Sequence, residues 1–298
     1  MSAGSRGRAG RLVVAVPYLW LIAFFLVPFA IVLRMAFSTA ATALPPYAPH
    51  FEGLSTLFEF LSELNLDNFR LLGEDSLYWQ SYLYSVRMAL QTTLLAIAIG
   101  YPLAYAMASA PKRWQAILVI AVILPFWTSF LIRVYAWIGI LRPDGILDSV
   151  LALLGFSGEP LRLLNTEAAV LIGMVYTYLP FMVLPLFTTL QKLDRSLLEA
   201  AADLGATPLK AFLTVTLPLS LPGILAGTAL VFIPAVGEFV IPDLLGGPDT
   251  NMIGKVLWSE FFSNRDWPLA SAVAIALLLV LVLPLMFLQR AGLRGGDT

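Results

Sequence analysis

The residues that most often carry chemistry in proteins are scarce in this sequence. It has no cysteine and a single histidine, His50, which lies in a polar, proline-bearing segment. Thiolate metal sites, cysteine nucleophiles and most imidazole-based acid–base sites are therefore excluded. The phosphate-binding pattern Gly-x-x-x-x-Gly-Lys-Ser/Thr is also absent, so the chain is not itself an ATPase of that type. Neither a catalytic residue nor a metal site is predicted.

One carboxylate and a few aromatic side chains nevertheless lie where such residues are unusual. Glu238 is attached to the end of an otherwise uncharged run and is followed by Phe239. Trp127, Tyr176 and Tyr178 lie well inside uncharged runs, away from the run ends where Trp and Tyr usually collect. An ionisable residue beside hydrocarbon is by default a candidate functional residue.

These residues must be positioned by elements that the hydropathy of the chain predicts. Hydrophobic residues make up 59% of the 298 residues and charged residues only 12%, so a soluble globular fold is not expected. Six runs without Asp, Glu, Lys or Arg each reach about the 20 residues that a helix needs to cross a bilayer. They are residues 12–33, 88–110, 114–132, 168–191, 211–237 and 267–289. Since backbone polar groups in hydrocarbon must be satisfied within the segment, we predict an all-α membrane protein with six transmembrane helices.

The first run has a second interpretation, because it follows Arg6, Arg8 and Arg11 and so resembles a secretory signal. The apolar part of a signal has about 7 to 15 residues. This run extends from residue 12 to residue 33. We therefore expect an uncleaved first helix.

The distribution of charge orients the predicted helices. With the amino terminus in the cytoplasm, the inner segments hold ten basic and four acidic residues, and the outer segments hold eight basic and fifteen acidic residues. This is the positive-inside pattern, and an even number of spans places both termini in the cytoplasm. The chain then divides into a basic cytoplasmic tail (1–11), a six-span membrane domain (12–290) and a second cytoplasmic tail (291–298). The net charge of −1 gives no reason to expect a nucleic acid as a partner.

The longest inner segment, residues 192–218, is predicted to contain a short helix and a turn. Ser196 can cap a helix in which Glu199 follows three residues later, and Gly205 is a candidate C-cap. The exposed face would present Glu199 beside the small pair Ala200-Ala201. A partner could approach the backbone closely at such a face, and a connector lying on the membrane is the alternative.

The spacing in this segment resembles the EAA loop of binding-protein-dependent ABC importer permeases. In that family the order is Glu-Ala-Ala, three residues, Gly, nine residues, Ile, one residue and Leu-Pro. This chain matches it with Glu199, Ala200, Ala201, Gly205, Val215, Leu217 and Pro218, and Val215 replaces Ile. The resemblance implies an EAA coupling helix between the fourth and fifth spans, with Glu199, Ala200, Ala201, Gly205 and Pro218 at the contact with a cytoplasmic ATPase.

Further segments are similar to the polyamine-importing permeases of the same family. They are residues 123–137, 176–187, 192–206, 234–258 and 264–272. Within those permeases, Gly237-Glu238-Phe239-Val240 is most similar to the first permease subunit of putrescine importers. The resemblance implies an importer that moves a polyamine, with putrescine the first choice, across the bacterial inner membrane by alternating access.

The same resemblance implies the partners and the role of the candidate residues. The partners are a second permease subunit that completes a heterodimer, two copies of an ABC ATPase that binds ATP and Mg²⁺, and a solute-binding protein outside. This chain would then be a transport subunit without a cofactor of its own. A polyamine is a multiple cation, which carboxylates and aromatic faces stabilise. We therefore expect Glu238, Phe239, Trp127, Tyr176 and Tyr178 to lie along the substrate path.

Several alternatives stay open. Each aromatic residue could serve only in helix packing, and Glu238 could pair with Arg34, Arg87 or Arg133. The chain could also be an ABC permease for another small solute. An ion-gradient-driven secondary transporter is a less favoured alternative, because it would need buried acidic residues as ion sites and no contact with an ATPase.

Overall fold

The computed structural model describes residues 14–49, 64–155, 161–194 and 196–294, and these are mostly helical. The helices are α1 (Val14–Ala36), α2 (Asp67–Glu74), α3 (Ser76–Ser109), α4 (Lys112–Trp127), α5 (Phe130–Leu141), α6 (Ile146–Leu153), α7 (Glu167–Gln191), α8 (Ser196–Asp203), α9 (Pro208–Val236), α10 (Val240–Leu245), α11 (Ile253–Trp258) and α12 (Trp267–Arg294). Two short strands, β1 (Thr39–Ala40) and β2 (Tyr47–Ala48), form an antiparallel pair. The all-α prediction is confirmed apart from this small hairpin.

The long apolar helices match the uncharged runs. Among the described residues, α1, α3, α7 and α9 are long and apolar enough to cross a bilayer. The sixth run lies in α12, whose apolar stretch is the shorter Trp267–Val282. The helix α3 begins well before its uncharged run, because Asp75 Oδ1 accepts a hydrogen bond from Leu77 N at 2.8 Å and so caps it.

The third run, residues 114–132, does not form one straight helix. The helix α4 ends in a 3-10 turn at Leu124–Trp127, Thr128 and Ser129 are non-helical, and α5 continues at 89° to α4. Pro125 contributes to this break because it has no amide hydrogen. The Pro125 carbonyl at the break accepts hydrogen bonds from Thr128 Oγ1 at 2.8 Å and from the Thr128 backbone N–H at 3.3 Å. The predicted third span therefore consists of two helices joined by a sharp bend.

The described chain separates into two compact units. The first comprises residues 1–80 and 256–298, in which α12 packs on α1 and α2. One buried cluster of this unit contains Ala36, Ala272 and Ile275, against which Phe29, Val32, Phe69 and Leu72 are packed.

The second unit comprises residues 81–255 and is organised around α7. The buried face of α7 includes Met174, Met182, Val183 and Leu186, all without exposed surface. The helix α9 packs closely along α7. A Cβ atom added to Gly223 of α9 would lie 2.6 Å from Thr189 Oγ1, so only glycine allows this approach.

Candidate functional site

The helix α8 lies in the predicted coupling segment and begins with a side-chain cap. Asp194 Oδ1 accepts a hydrogen bond from the backbone N–H of Ser196 at 3.0 Å. Backbone and side-chain hydrogen bonds from Ser196 lower the pKa of the Asp194 carboxyl. The capping role predicted for Ser196 is therefore filled by Asp194, whose negative charge also suits a helix amino terminus.

The carboxyl end of α8 has the predicted glycine stop. Gly205 has a φ of +77°, a left-handed conformation that favours glycine. Its N–H donates to the Ala202 carbonyl at 2.8 Å, and the N–H of Ala206 donates to the Ala201 carbonyl at 2.9 Å. This pair of bonds is the Schellman arrangement that ends many helices. The chain therefore turns sharply after α8, as its sequence predicted.

The outer face of α8 is open. Glu199 and Ala200 are exposed and Ala201 is half-buried. Beyond the turn, the Leu204 and Leu209 side chains are 89% and 68% exposed. Two exposed carboxylates, Glu199 and Asp203, together with small residues and exposed leucines, thus lie within or just after α8. Pro218 is not on α8 itself; it is exposed in α9, just after a π turn at Phe212–Thr216.

Glu238 lies at the junction between α9 and α10, and both carboxylate oxygens have partners. Tyr178 of α7 donates its hydroxyl hydrogen to Oε2 at 2.6 Å. Oε1 accepts from the backbone N–H groups of Phe239 at 3.1 Å, Val240 at 3.0 Å and Ile241 at 3.4 Å. The carboxylate therefore caps the start of α10 and fixes it to α7, while Glu238 stays half-buried.

The arginines proposed as partners of Glu238 have other neighbours. Arg87 forms an ion pair with Glu167 at the start of α7, and both side chains are substantially exposed. The Arg133 guanidinium lies over the Phe126 ring, 4.9 Å from its centroid. Arg34 donates to the Tyr47 hydroxyl at 2.6 Å. The partners that the structure gives to Glu238 are thus a tyrosine and the backbone N–H groups of the three residues that follow it.

Of the predicted aromatic residues, Tyr178 contacts Glu238 through its hydroxyl and Phe239 through its backbone N–H. Tyr176 packs edge-on against Trp137, with centroids 5.4 Å apart, which is the packing role considered as its alternative. Trp127 lies at the α4–α5 break and is 76% exposed.

Two phenylalanines that the sequence analysis missed connect these places. The Phe181 ring lies 6.3 Å from the Tyr178 ring and packs edge-on against Phe126 at 5.3 Å. Phe126 immediately precedes Trp127, so a series of aromatic rings leads from Glu238 to the break. The signal for Phe181 was its position three residues after Tyr178, which places both on one face of a helix.

Buried polar contacts elsewhere were also missed. Gln191, the last residue of α7, donates from Nε2 to Gln115 Oε1 at 2.7 Å. In the other unit, Glu260 is only 8% exposed and accepts hydrogen bonds from Tyr78 at 2.9 Å and from Asn264 at 2.7 Å. The amides could have been noticed as polar side chains beside or within apolar runs, whereas nothing in the sequence pairs Tyr78 with Glu260.

Comparison with known proteins finds a matching family profile and related membrane proteins. The profile of the family described as "Binding-protein-dependent transport system inner membrane component" matches residues 97–292. The spermidine/putrescine transport system permease protein PotB of Haemophilus influenzae is 41% identical over 281 residues, covering 94% of this chain and 93% of that protein. PotB of Escherichia coli K12 is 44% identical over 227 residues, covering 76% of this chain and 82% of that protein.

Solved structures of ABC transporters contain chains with a fold similar to that of this chain. A chain of a bacterial alginate ABC transporter, solved with a periplasmic protein that holds an alginate pentasaccharide, superposes with a TM-score of 0.72. The superposition covers 99% of this chain and 97% of that chain at 17% identity, which supports a shared fold and no more. A chain of the MetNI methionine ABC transporter gives a TM-score of 0.53 at 18% identity and covers 73% of this chain and 94% of that chain. From its sequence and its fold, this chain belongs to the family of binding-protein-dependent transport system inner membrane components.

Proposed function

We propose that this chain is a permease subunit of an ATP-driven importer that moves a polyamine across the bacterial inner membrane. The observation that carries the proposal is the 41% identity to a spermidine/putrescine permease over 94% of the chain. Putrescine is our first choice of substrate, on the basis of the Gly237–Val240 stretch. An ABC permease for another small solute is the competing proposal, and membership of this family disfavours a secondary transporter.

The proposed topology has six spans with both termini in the cytoplasm. Four apolar helices of spanning length support it, with α4 and α5 together as a bent third span and α12 as the sixth. The excess of basic residues in the segments assigned to the cytoplasm sets the orientation. The segment 192–218 then lies on the cytoplasmic side.

In this topology α8 is the coupling helix. Its exposed Glu199 and Ala200, with Ala201 behind them and the tight turn at Gly205, form a surface that would dock into a groove of an ATPase subunit, and Pro218 follows in α9. ATP and Mg²⁺ would be held by two copies of that ATPase. A second permease subunit would complete the membrane path, and a solute-binding protein would deliver the substrate from outside.

The proposed substrate path centres on Glu238 and Tyr178. The carboxylate is held in place by the four donors at its two oxygens, so it is oriented before the substrate arrives and need not be reorganised. A leading ammonium group would bind at Oε2, and the methylene chain would lie along Phe239 and the aromatic rings that lead towards Trp127. Tyr176 would border the path from the same helix as Tyr178.

The bend between α4 and α5 supports the same location for the path. Non-helical backbone at membrane depth is tolerated only where it is buried in protein or lines a water-filled cavity. Thr128 and Ser129 have such backbone, and Phe126 beside them packs on Phe181. In the proposed mechanism, ATP binding moves α8, and the bent helices open the path alternately to the two sides.

The experiment that tests this proposal is uptake in cells that lack their own polyamine importers. The complete gene set of the importer should restore uptake of radiolabelled putrescine or spermidine, and an excess of unlabelled polyamine should compete. Amino acids and sugars should not compete. Competition by an unrelated solute, with no effect of polyamines, would favour the permease for another solute.

A further inference from the structure

Two glutamine side chains connect the turn between α3 and α4 to the end of α7. Gln191 Nε2 donates to Gln115 Oε1 at 2.7 Å. Gln115 Nε2 in turn donates to the carbonyl oxygens of Ala108 and Ala110, both at 3.0 Å. Gln115 is only 8% exposed, so its amide is taken from water and satisfied by these three bonds. Gln115 thereby caps the carboxyl end of α3, and Gln191 is hydrogen-bonded to Gln115.

This contact lies at the base of the coupling segment. Gln191 is the last residue of α7, and α8 begins at Ser196. Leu198 of α8, Gln115 and Gln191 all line one cavity of about 490 Å³, together with Lys112. Because part of α8 faces this cavity, α8 is not packed solidly against the α3–α4 turn.

Movement of α8 can therefore reach the rest of its unit by two described routes. One is the start of α9, which α8 contacts directly. The other is the hydrogen bond from Gln191 to Gln115, which leads to the ends of α3 and α4. The first route also reaches α3, because Phe212 at the start of α9 packs edge-on against Tyr101 and Tyr105, with ring centroids 5.6 Å and 6.4 Å apart. The second route reaches the turn between α3 and α4 itself.

We propose that the Gln191–Gln115 hydrogen bond is a positioning link that makes the α3–α4 turn move together with the coupling helix. The inference rests on the proposed role of α8 as the contact with the ATPase. Gln191 and Gln115 are positioning residues, since their effect is transmitted through α8 and through the helices of the path. Without the bond, Gln115 Oε1 loses its partner, and the α3–α4 turn follows the movement of α8 less closely.

The variants are chosen to remove or retain the donor at residue 191. Gln191→Leu removes it, whereas Gln191→Lys retains a donor at an exposed position that accommodates a longer side chain. Thr188→Val is the matched control, because Thr188 lies one turn earlier and its hydroxyl donates only within its own helix, to the Leu184 carbonyl at 2.8 Å. One intramolecular hydrogen bond corresponds to a severalfold change in an equilibrium.

The first readout is polyamine transported per ATP hydrolysed by purified complex in vesicles. Gln191→Leu should lower this ratio about fivefold, while Gln191→Lys and Thr188→Val keep the wild-type ratio. A purely structural role would lower the amount of assembled complex and leave the ratio unchanged. A wild-type ratio in Gln191→Leu would overturn the inference.

The second readout does not depend on the substrate. The chain has no cysteine, so spin labels can be attached at Arg113→Cys and Asp203→Cys. The distribution of distances between the two labels should stay narrow, with and without ATP, in the wild type and in Gln191→Lys. It should broaden in Gln191→Leu. An unchanged distribution in Gln191→Leu would overturn the link even if polyamine uptake were absent, whereas absent uptake by the wild-type complex would count against the proposed substrate alone.

Discussion

The replacement Glu238→Gln separates a substrate-binding carboxylate from a helix cap. Glutamine keeps an oxygen that can accept hydrogen bonds from the N–H groups of Phe239 and Val240. Its amide nitrogen can donate a hydrogen bond to the Tyr178 hydroxyl oxygen. The main loss is therefore the negative charge. The geometry of the α9–α10 junction should be retained.

The size of the effect follows from the environment of the carboxylate. A unit charge about 4 Å away, at an effective dielectric of about 20, interacts by about 4 kcal/mol. Oε1 is already occupied by three backbone donors and Oε2 by Tyr178, so the substrate gains less than this. A hydrogen bond to a charged group contributes about 1.5–3 kcal/mol. We therefore expect uptake at limiting polyamine to fall roughly tenfold to hundredfold.

The assay is uptake of radiolabelled putrescine normalised to purified complex. Glu238→Asp, which retains the charge, should be milder than Glu238→Gln. Tyr178→Phe should also reduce uptake. Tyr101→Phe is its matched control, since the Tyr101 hydroxyl shares a hydrogen bond with Ser220 Oγ, at 2.9 Å, and not with Glu238. If Glu238→Gln lowered the yield of complex but left uptake per complex unchanged, the carboxylate would be a helix cap and not part of the path.

Three further predictions concern coupling, topology and packing. Gly205→Trp should insert normally yet lose substrate-stimulated ATP hydrolysis, whereas Gly205→Asn, which tolerates a positive φ, should retain most of it; equal hydrolysis in both would refute a docking role. Reporter proteins fused after Lys112 should be cytoplasmic and those fused after Gly247 external, and a reversed result would refute the six-span topology. Gly223→Ala should destabilise the complex by about 1–3 kcal/mol through contact with α7, while Gly139→Ala, whose new Cβ would meet no atom within 4 Å beyond the local helix backbone, should not; thermal unfolding of both variants checks this.

The helices of this chain are largely predictable because an apolar run in lipid has few alternatives. The same is true of α8, whose glycine stop at Gly205 follows from local backbone chemistry. Prolines within the apolar runs indicate helices that bend, but not which helix does so. Pro125 lies at the break, but Pro102, Pro180 and Pro222 lie inside continuous helices, so a proline alone does not indicate where a helix bends.

The hydrogen-bond partners of Glu238 could not be predicted from the sequence, for a different reason. The sequence indicated that this carboxylate is unusual, and the three arginines considered were plausible on charge alone. The observed contact joins residues 60 positions apart, and its partner is a neutral hydroxyl. Local patterns carry no information on which of several tyrosines a distant carboxylate meets, because that depends on how α7 and the α9–α10 junction pack.

The most direct test of the account is ATP-dependent accumulation of putrescine in vesicles that contain only the purified importer complex. The complex should comprise this chain, its second permease subunit and the ATPase, with ATP and Mg²⁺ on the ATPase side and the solute-binding protein on the other. We predict accumulation of putrescine that requires ATP hydrolysis and the solute-binding protein. Accumulation driven by an ion gradient without ATP, or ATP-driven uptake of other solutes but of no polyamine, would contradict the account.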